Sequence, residues 1–156
     1  MVESSGAARF SFKIVDVILT QTDTTVGFLS QDETKLRAIK SRHSSKPFIR
    51  VYTDFKSFKQ DGNRVPNAQK SKVRRSRKTT FIVKSMAFRV VKHKLSSASL
   101  ANGWYYSTSA NESGKNFDRD FCEEKADIIV ENKEFLHEGR SSSLFKINSK
   151  RQRKLR

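Results

Sequence analysis

The chain has 156 residues, enough for one domain with its own core and short for two. A single cysteine, Cys122, excludes an internal disulfide and a metal–thiolate cluster, and no apolar run approaches the length of a membrane span. The 32 Lys and Arg against 16 Asp and Glu give a formal charge of +16 and a long-range positive potential, so an anionic partner is expected. Nucleic acid ranks ahead of an acidic membrane surface, because no amphipathic helix is discernible to seat on lipid.

Residues 1–12 read as a disordered N-terminal segment and residues 13–156 as one domain. With no signal peptide or anchor discernible, the cytoplasm is the expected location. Ile14-Val15-Asp16-Val17-Ile18-Leu19 predicts a buried strand, Thr20 to Thr25 a hydroxyl-rich turn, and Val26 to Leu29 a short apolar element. Ser30-Gln31-Asp32-Glu33 has capping-box spacing and predicts a helix with Ser30 as N-cap and Leu36 and Ile39 on one face. Phe48 to Tyr52 follows as a strand, and Thr53-Asp54 caps a short helix through Phe55 and Phe58.

From Gln60 to Lys78 the apolar signal vanishes, and the stretch reads as a loop. Within it Lys70, Lys72, Arg74, Arg75, Arg77 and Lys78 form the strongest local candidate for contacting an RNA phosphate backbone, with a merely solvated basic loop as the even alternative. Thr79 to Val83 and Ala87 to Val91 predict a strand pair turning at Lys84-Ser85-Met86, and Leu95 to Leu100 a short helix.

Trp104-Tyr105-Tyr106 predicts a strand that opens into Ser107 to Gly114, a run of small hydroxyl and amide residues suited to phosphate oxygens or a polar small molecule, with an ordinary Ser/Asn-rich turn as the commoner alternative for such composition. Phe117 to Glu124 reads as a helix, Asp127 to Val130 as a strand and Ser143 to Ile147 as the last strand, ahead of the basic end Lys150 to Arg156. Strands outnumber helices, which predicts an α/β domain built on a mixed sheet.

The six glycines lack the spacing of a Walker or dinucleotide motif, and His43, His93 and His137 stand apart from any nucleophile or metal-ligand pattern. What remains is a positive, hydroxyl-rich site that orients an anionic substrate and neutralises its charge, as nucleotidyl transfer requires.

Thr22-Asp23-Thr24 ahead of Gly27, Lys40-x-Arg42 followed by Lys46-Pro47, and Ser109-x-Asn111 occur in one order that resembles the YrdC-like family of threonylcarbamoyl-adenylate synthases. The resemblance covers about residues 14–156. It implies an open, twisted mixed sheet with flanking helices and a positively charged concave cavity that holds L-threonine, ATP and bicarbonate or carbon dioxide with Mg2+. In such an enzyme the threonine amine becomes a carbamate, which attacks the α-phosphate of ATP and expels pyrophosphate. The product, threonylcarbamoyl-AMP, passes to a tRNA threonylcarbamoyltransferase, the implied protein partner.

By position, the resemblance makes Lys40, Arg42, Ser109 and Asn111 the catalytic tetrad. It assigns ATP to Arg42, Lys46, Ser109, Asn111, Ser142 and Arg156, threonine to Thr22, Arg89, Thr108 and Ser143, and no protein ligand to a metal. Gln21, Val26 and Val91 stand where the family has Pro, an aromatic and Pro, and Arg75 to Thr80 replaces a Trp-Pro-Gly-Pro-x-Thr segment, keeping only the final Thr80. The alternative reading is a YrdC-like module without catalysis that grips double-stranded RNA or tRNA through Lys70 to Lys78 and the basic C-terminus.

Overall fold

The computed structural model describes residues 2–3 (backbone only), 16–41, 47–91, 103–131 and 135–156. Its elements follow from short local signals. Strands β2 (Ile18–Gln21) and β3 (Val26–Ser30) form a hairpin with Ile18 opposite Leu29 and Leu19 opposite Phe28. Because side chains alternate along a strand, Leu19 and Phe28 share one face of the sheet and Ile18 and Leu29 the other. Ile14 and Val15, expected to begin the first strand, lie outside the described residues.

Helix α1 (Glu33–Lys40) starts two residues later than the capping box predicted. Ser30 is held extended as the last residue of β3, opposite Tyr106, and its Oγ accepts from the Asp32 N–H at 3.0 Å. Asp32 becomes the N-cap, its carboxylate accepting from the Lys35 N–H at 3.2 Å. Strand β4 (Ile49–Tyr52) and helix α2 (Phe55–Gln60) form where expected, with the Asp54 carboxylate capping the Ser57 N–H at 2.6 Å. That bond holds the Asp54 carboxyl below its ordinary range.

The basic stretch is not a loop. A 3-10 turn at Asn67–Gln69 leads into helix α3 (Lys70–Arg75), which buries Val73 alone and so had too little apolar period to be read. Strands β5 (Thr79–Val83) and β6 (Met86–Val90) pair antiparallel as expected. The helix expected over Leu95–Leu100 lies outside the described residues, as do His43 and His93. Strand β7 runs through Trp104–Ser109, so the first three residues of the expected ligand loop are strand, paired to β3 and β4. Helix α4 (Arg119–Lys125) and strands β8 (Ile128–Glu131) and β9 (Ser143–Ile147) complete the anticipated set.

Two strands had no sequence signal: β1 (Val2–Glu3), parallel to β8, and β10 (Gln152–Lys154), antiparallel to β9. All three side chains of β10 are exposed, so backbone pairing without any apolar alternation makes this strand.

The described strands form one mixed sheet of ten in the order β1-β8-β2-β3-β7-β4-β6-β5-β9-β10. All four described helices lie against one face. Leu36 of α1 and Cys122 of α4 pack on Leu19 and Phe28, while Phe58 of α2 and Val73 of α3 pack on Tyr52, Phe81 and Phe88. The rings of Phe58 and Phe88 stack at 4.3 Å, and Tyr52 meets Phe58 edge-on at 5.3 Å, so aromatic contacts carry much of this layer, as a Phe-rich composition predicts. Cys122 sits in this layer, and burial pushes its thiol up to about 11, far from a nucleophile's range. The other face carries Ile18, Leu29, Val51 and Tyr105 at its centre and a polar strip beside them.

Candidate functional site

The polar strip begins at the turn between β2 and β3. Thr22 Oγ1 donates to the Thr25 carbonyl at 2.6 Å and accepts from the N–H groups of Thr24 and Thr25 at 3.2 and 3.3 Å, a hydroxyl-locked turn. The lock aims Asp23 inward, where Oδ1 lies 3.1 Å from Arg89 Nε of β6, with the two side chains 6% and 5% exposed. The N–H is not aligned on the oxygen, so the contact is an ion pair without a hydrogen bond. Burial pushes the Arg89 guanidinium below its usual value, and Asp23 opposes that shift.

From Arg89 a relay crosses the sheet. Arg89 Nη1 donates to Thr80 Oγ1 at 3.3 Å, Thr80 shares a hydrogen bond with Ser142 Oγ at 2.8 Å, and Arg156 Nε donates to the Ser142 carbonyl at 3.1 Å. Thr80 is the residue kept from the replaced Trp-Pro-Gly-Pro-x-Thr segment, and it is fully buried at this junction.

The 136–142 segment closes the strip. Val26 donates to the His137 carbonyl at 3.0 Å, Gln21 Oε1 accepts from the His137 N–H at 2.9 Å, and the Gly139 N–H donates to Thr25 Oγ1 at 3.0 Å. A Cβ on Gly139 would overlap the Thr24 carbonyl oxygen, a backbone atom that cannot swing aside. Gly139→Ala is therefore expected to cost about 2 kcal/mol through overpacking, or about 4–8 °C in melting temperature. A variant melting within about 1 °C of wild type would show that this wall is not held by the close approach.

These walls enclose a cavity of about 290 Å³. Six residues expected to bind threonine or ATP line it together: Thr22, Arg89, Thr108, Ser109, Ser142 and Arg156. The structure adds the hydroxyls of Thr24, Thr25, Ser107 and Ser141, with Pro47 and Ile49 as apolar lining. The Ser141-Ser142-Ser143 triplet and the Thr24-Thr25 pair carried a compositional signal for these, while Asp23 and Thr80 were visible only as members of motifs. Ser143 opens β9 opposite Thr79 and is not part of the lining.

Behind the cavity Lys40 is 3% exposed, and its ammonium donates to the Ser109 carbonyl at 3.0 Å and to the Asn111 carbonyl and Oδ1 at 2.9 and 2.6 Å. Ser109 Oγ donates to Asn111 Oδ1 at 2.7 Å, and Ser113 Oγ to the Lys40 carbonyl at 2.7 Å. Three of the four expected catalytic residues are thus brought together. Arg42, the fourth, and Lys46 lie outside the described residues.

No protein-family model matches the sequence, and no curated protein matches it by sequence. Solved structures do match. P. abyssi Sua5 complexed with L-threonine superposes with a TM-score of 0.70 at 19% identity, covering 90% of this chain and 50% of that one. E. coli YciO gives 0.71 at 16% identity over 91% and 82% of the two chains. Full-length HypF in its phosphate- and nucleotide-bound form gives 0.68 at 15% identity over 90% and 22%. The fold is YrdC-like. The chain spans about half the length of the Sua5 that it matches.

In this YrdC-like sheet the expected RNA-binding row lies along α3 and beyond it. Arg74, Arg75, Arg77 and Lys78 are exposed, Lys70 is half-buried, and the Lys72 ammonium sits 3.8 Å over the Phe145 ring. The Arg74 guanidinium covers Phe55 at 4.7 Å, so part of this row serves packing. Among the described residues no group of three His, Cys, Asp or Glu is placed to hold a metal, and Asp23, the carboxylate beside the cavity, is engaged by Arg89. No described helix is long and apolar enough to cross a membrane.

Proposed function

We propose that the chain is an L-threonylcarbamoyladenylate synthase, a nucleotidyltransferase acting on L-threonine, bicarbonate or carbon dioxide, and ATP in tRNA modification. The observation that carries this reading is the convergence of Thr22, Arg89, Thr108, Ser109, Ser142 and Arg156, from five separate stretches of sequence, on one cavity. At about 290 Å³ the cavity sits at the small end of ligand sites and suits an amino acid. Arg89 Nε faces Asp23 and Nη1 donates to Thr80, which leaves Nη2 to take the threonine carboxylate in a fixed orientation. Arg156, anchored on Ser142, offers a guanidinium to ATP phosphates.

In this reading the threonine amine combines with bicarbonate to give the carbamate and water. A carbamate oxygen forms a bond to the α-phosphorus, the bond from that phosphorus to the bridging oxygen of the β-phosphate breaks, and pyrophosphate leaves with the electron pair. Lys40 acts as a post that holds Ser109 and Asn111 against the nucleotide. Pyrophosphate release measured with ATP, bicarbonate and Mg2+ should depend on L-threonine, and an equal rate without threonine would end the proposal.

The exposed cations from Arg74 to Lys78 favour a second reading, a YrdC-like module that binds double-stranded RNA or tRNA, with or without the synthesis. A tRNA threonylcarbamoyltransferase is the partner that would take the product.

A further inference from the structure

All 16 acidic residues lie in segments 1–61 and 112–138, and segments 62–111 and 139–156 contain none. The sheet order β6-β5-β9-β10, built on parallel pairing of β5 with β9, brings residues 79–90 of the first acid-free segment and 143–154 of the second together at one end of the sheet. There a furrow of about 600 Å³ is lined by Lys84, Lys146, Lys150, Arg151 and Arg153. None of the five has a carboxylate within ion-pairing distance among the described residues, whereas Lys35, Arg37, Arg50, Arg89 and Arg119 all do.

The furrow is costly to the fold as it stands. Arg153 lies directly opposite Lys146 in the β9–β10 ladder, a like-charge cross-strand pair. Lys84 holds a left-handed φ of 57°, which a lysine disfavours. The backbone beneath is nonetheless rigid. Asn148 Oδ1 accepts from the N–H groups of Lys150 and Arg151 at 2.9 Å each, and the buried Gln69 side chain donates to the Asn148 carbonyl at 3.0 Å. A preorganised row of unpaired cations repelling one another is relieved by a polyanion, which releases counterions as it binds.

Register also decides the face. Lys146 is opposite Ile82, two residues along β5 from Thr80, so Lys146 and Arg153 stand on the cavity face, away from α3. From Arg89 to Lys146 the span is about 12 Å, two strands across and two residues along. The one strongly exposed apolar side chain described at this end is Leu155, too little to seat on lipid.

We propose that this furrow binds the phosphate backbone of a nucleic acid running along the β9–β10 edge toward the cavity. The inference rests on the RNA-binding reading above, not on the synthase reading, and it narrows the contact surface from α3 and the basic C-terminus together to the furrow at the sheet edge.

The test is fluorescence anisotropy of the full chain with a duplex RNA and a duplex DNA of about 16 base pairs, across salt from about 50 to 200 mM. The combined variant Lys146→Gln, Lys150→Gln, Arg153→Gln changes only exposed side chains. It should weaken binding at least about tenfold and lower the salt slope by about 2–3, while Arg75→Gln, Arg77→Gln, Lys78→Gln weakens it less than about threefold. Equal loss on both duplexes supports backbone contact, and loss on RNA alone supports the same furrow reading an A-form backbone. Loss confined to the Arg75–Lys78 variant overturns the furrow while the RNA reading survives. Absence of binding by wild type overturns both, and furrow-dependent binding to anionic vesicles without binding to either duplex overturns the choice of partner.

Discussion

Arg89→Met is expected to destabilise the chain by about 3–5 kcal/mol, about 10 °C or more in melting temperature at this size. Methionine fills much of the same volume, so the loss is electrostatic. The substitution leaves the Asp23 carboxylate 6% exposed and without its counter-charge, and takes a donor from Thr80. A double variant, Asp23→Asn with Arg89→Met, removes both charges and should recover most of the stability, since an absent buried pair costs far less than a broken one. Thermal unfolding of wild type and the two variants settles it. If Arg89→Met alone melts with wild type, the pair is not the keystone of the cavity. The double variant, though stable, should remain unable to bind threonine, separating the structural part of Arg89 from its proposed ligand contact.

Lys40→Met is expected to abolish threonine-dependent pyrophosphate release and to cost about 2–4 kcal/mol. The ammonium satisfies three oxygens that converge from Ser109 and Asn111, and without it two carbonyls and an amide oxygen crowd one another. Lys40→Arg should not rescue the activity, because a planar guanidinium fork does not reproduce three donors at tetrahedral angles on one nitrogen. Recovery of more than about a tenth of wild-type turnover by Lys40→Arg would show that positive charge alone is what the site requires. Lys40 also differs from Arg89 in reach: it stands behind the cavity lining, so its loss should act on the Ser109–Asn111 segment before it acts on the Arg89 end of the cavity.

Elements governed by contacts within a few residues were legible from sequence. Asp54 caps the N–H three residues on, and α2 appears where that residue predicts it, while α4 overlaps the expected 117–124 helix and is capped in the same way by Asp118. The capping box at Ser30 misled by two residues because pairing of β3 with β7 claims Ser30 first. Helix α3 was invisible, since one buried valine has no period until Gln69 and β9 give the helix a surface to lie on. Strand β10 was invisible for the same kind of reason, being exposed on every side chain and held through β9.

Of the residues singled out for the site by type and order, Thr22, Arg89, Ser109, Ser142 and Arg156 converge on one cavity. Ser143 does not: it opens β9 opposite Thr79, just past the lining residues Ser141 and Ser142. What the sequence by itself determined here is local: caps, turn hydroxyls, strand alternation, and the confinement of every acid to two segments. Tertiary structure alone decided that Asp23 meets Arg89, that Thr80 meets Ser142, and that strands β5 and β6 of one acid-free segment join β9 and β10 of the other at one end of the sheet. The physical reason is range. Hydrogen bonds and side-chain period act within a few residues, whereas strand order is set by burying both sides of a sheet against loop-closure entropy, which no short stretch encodes.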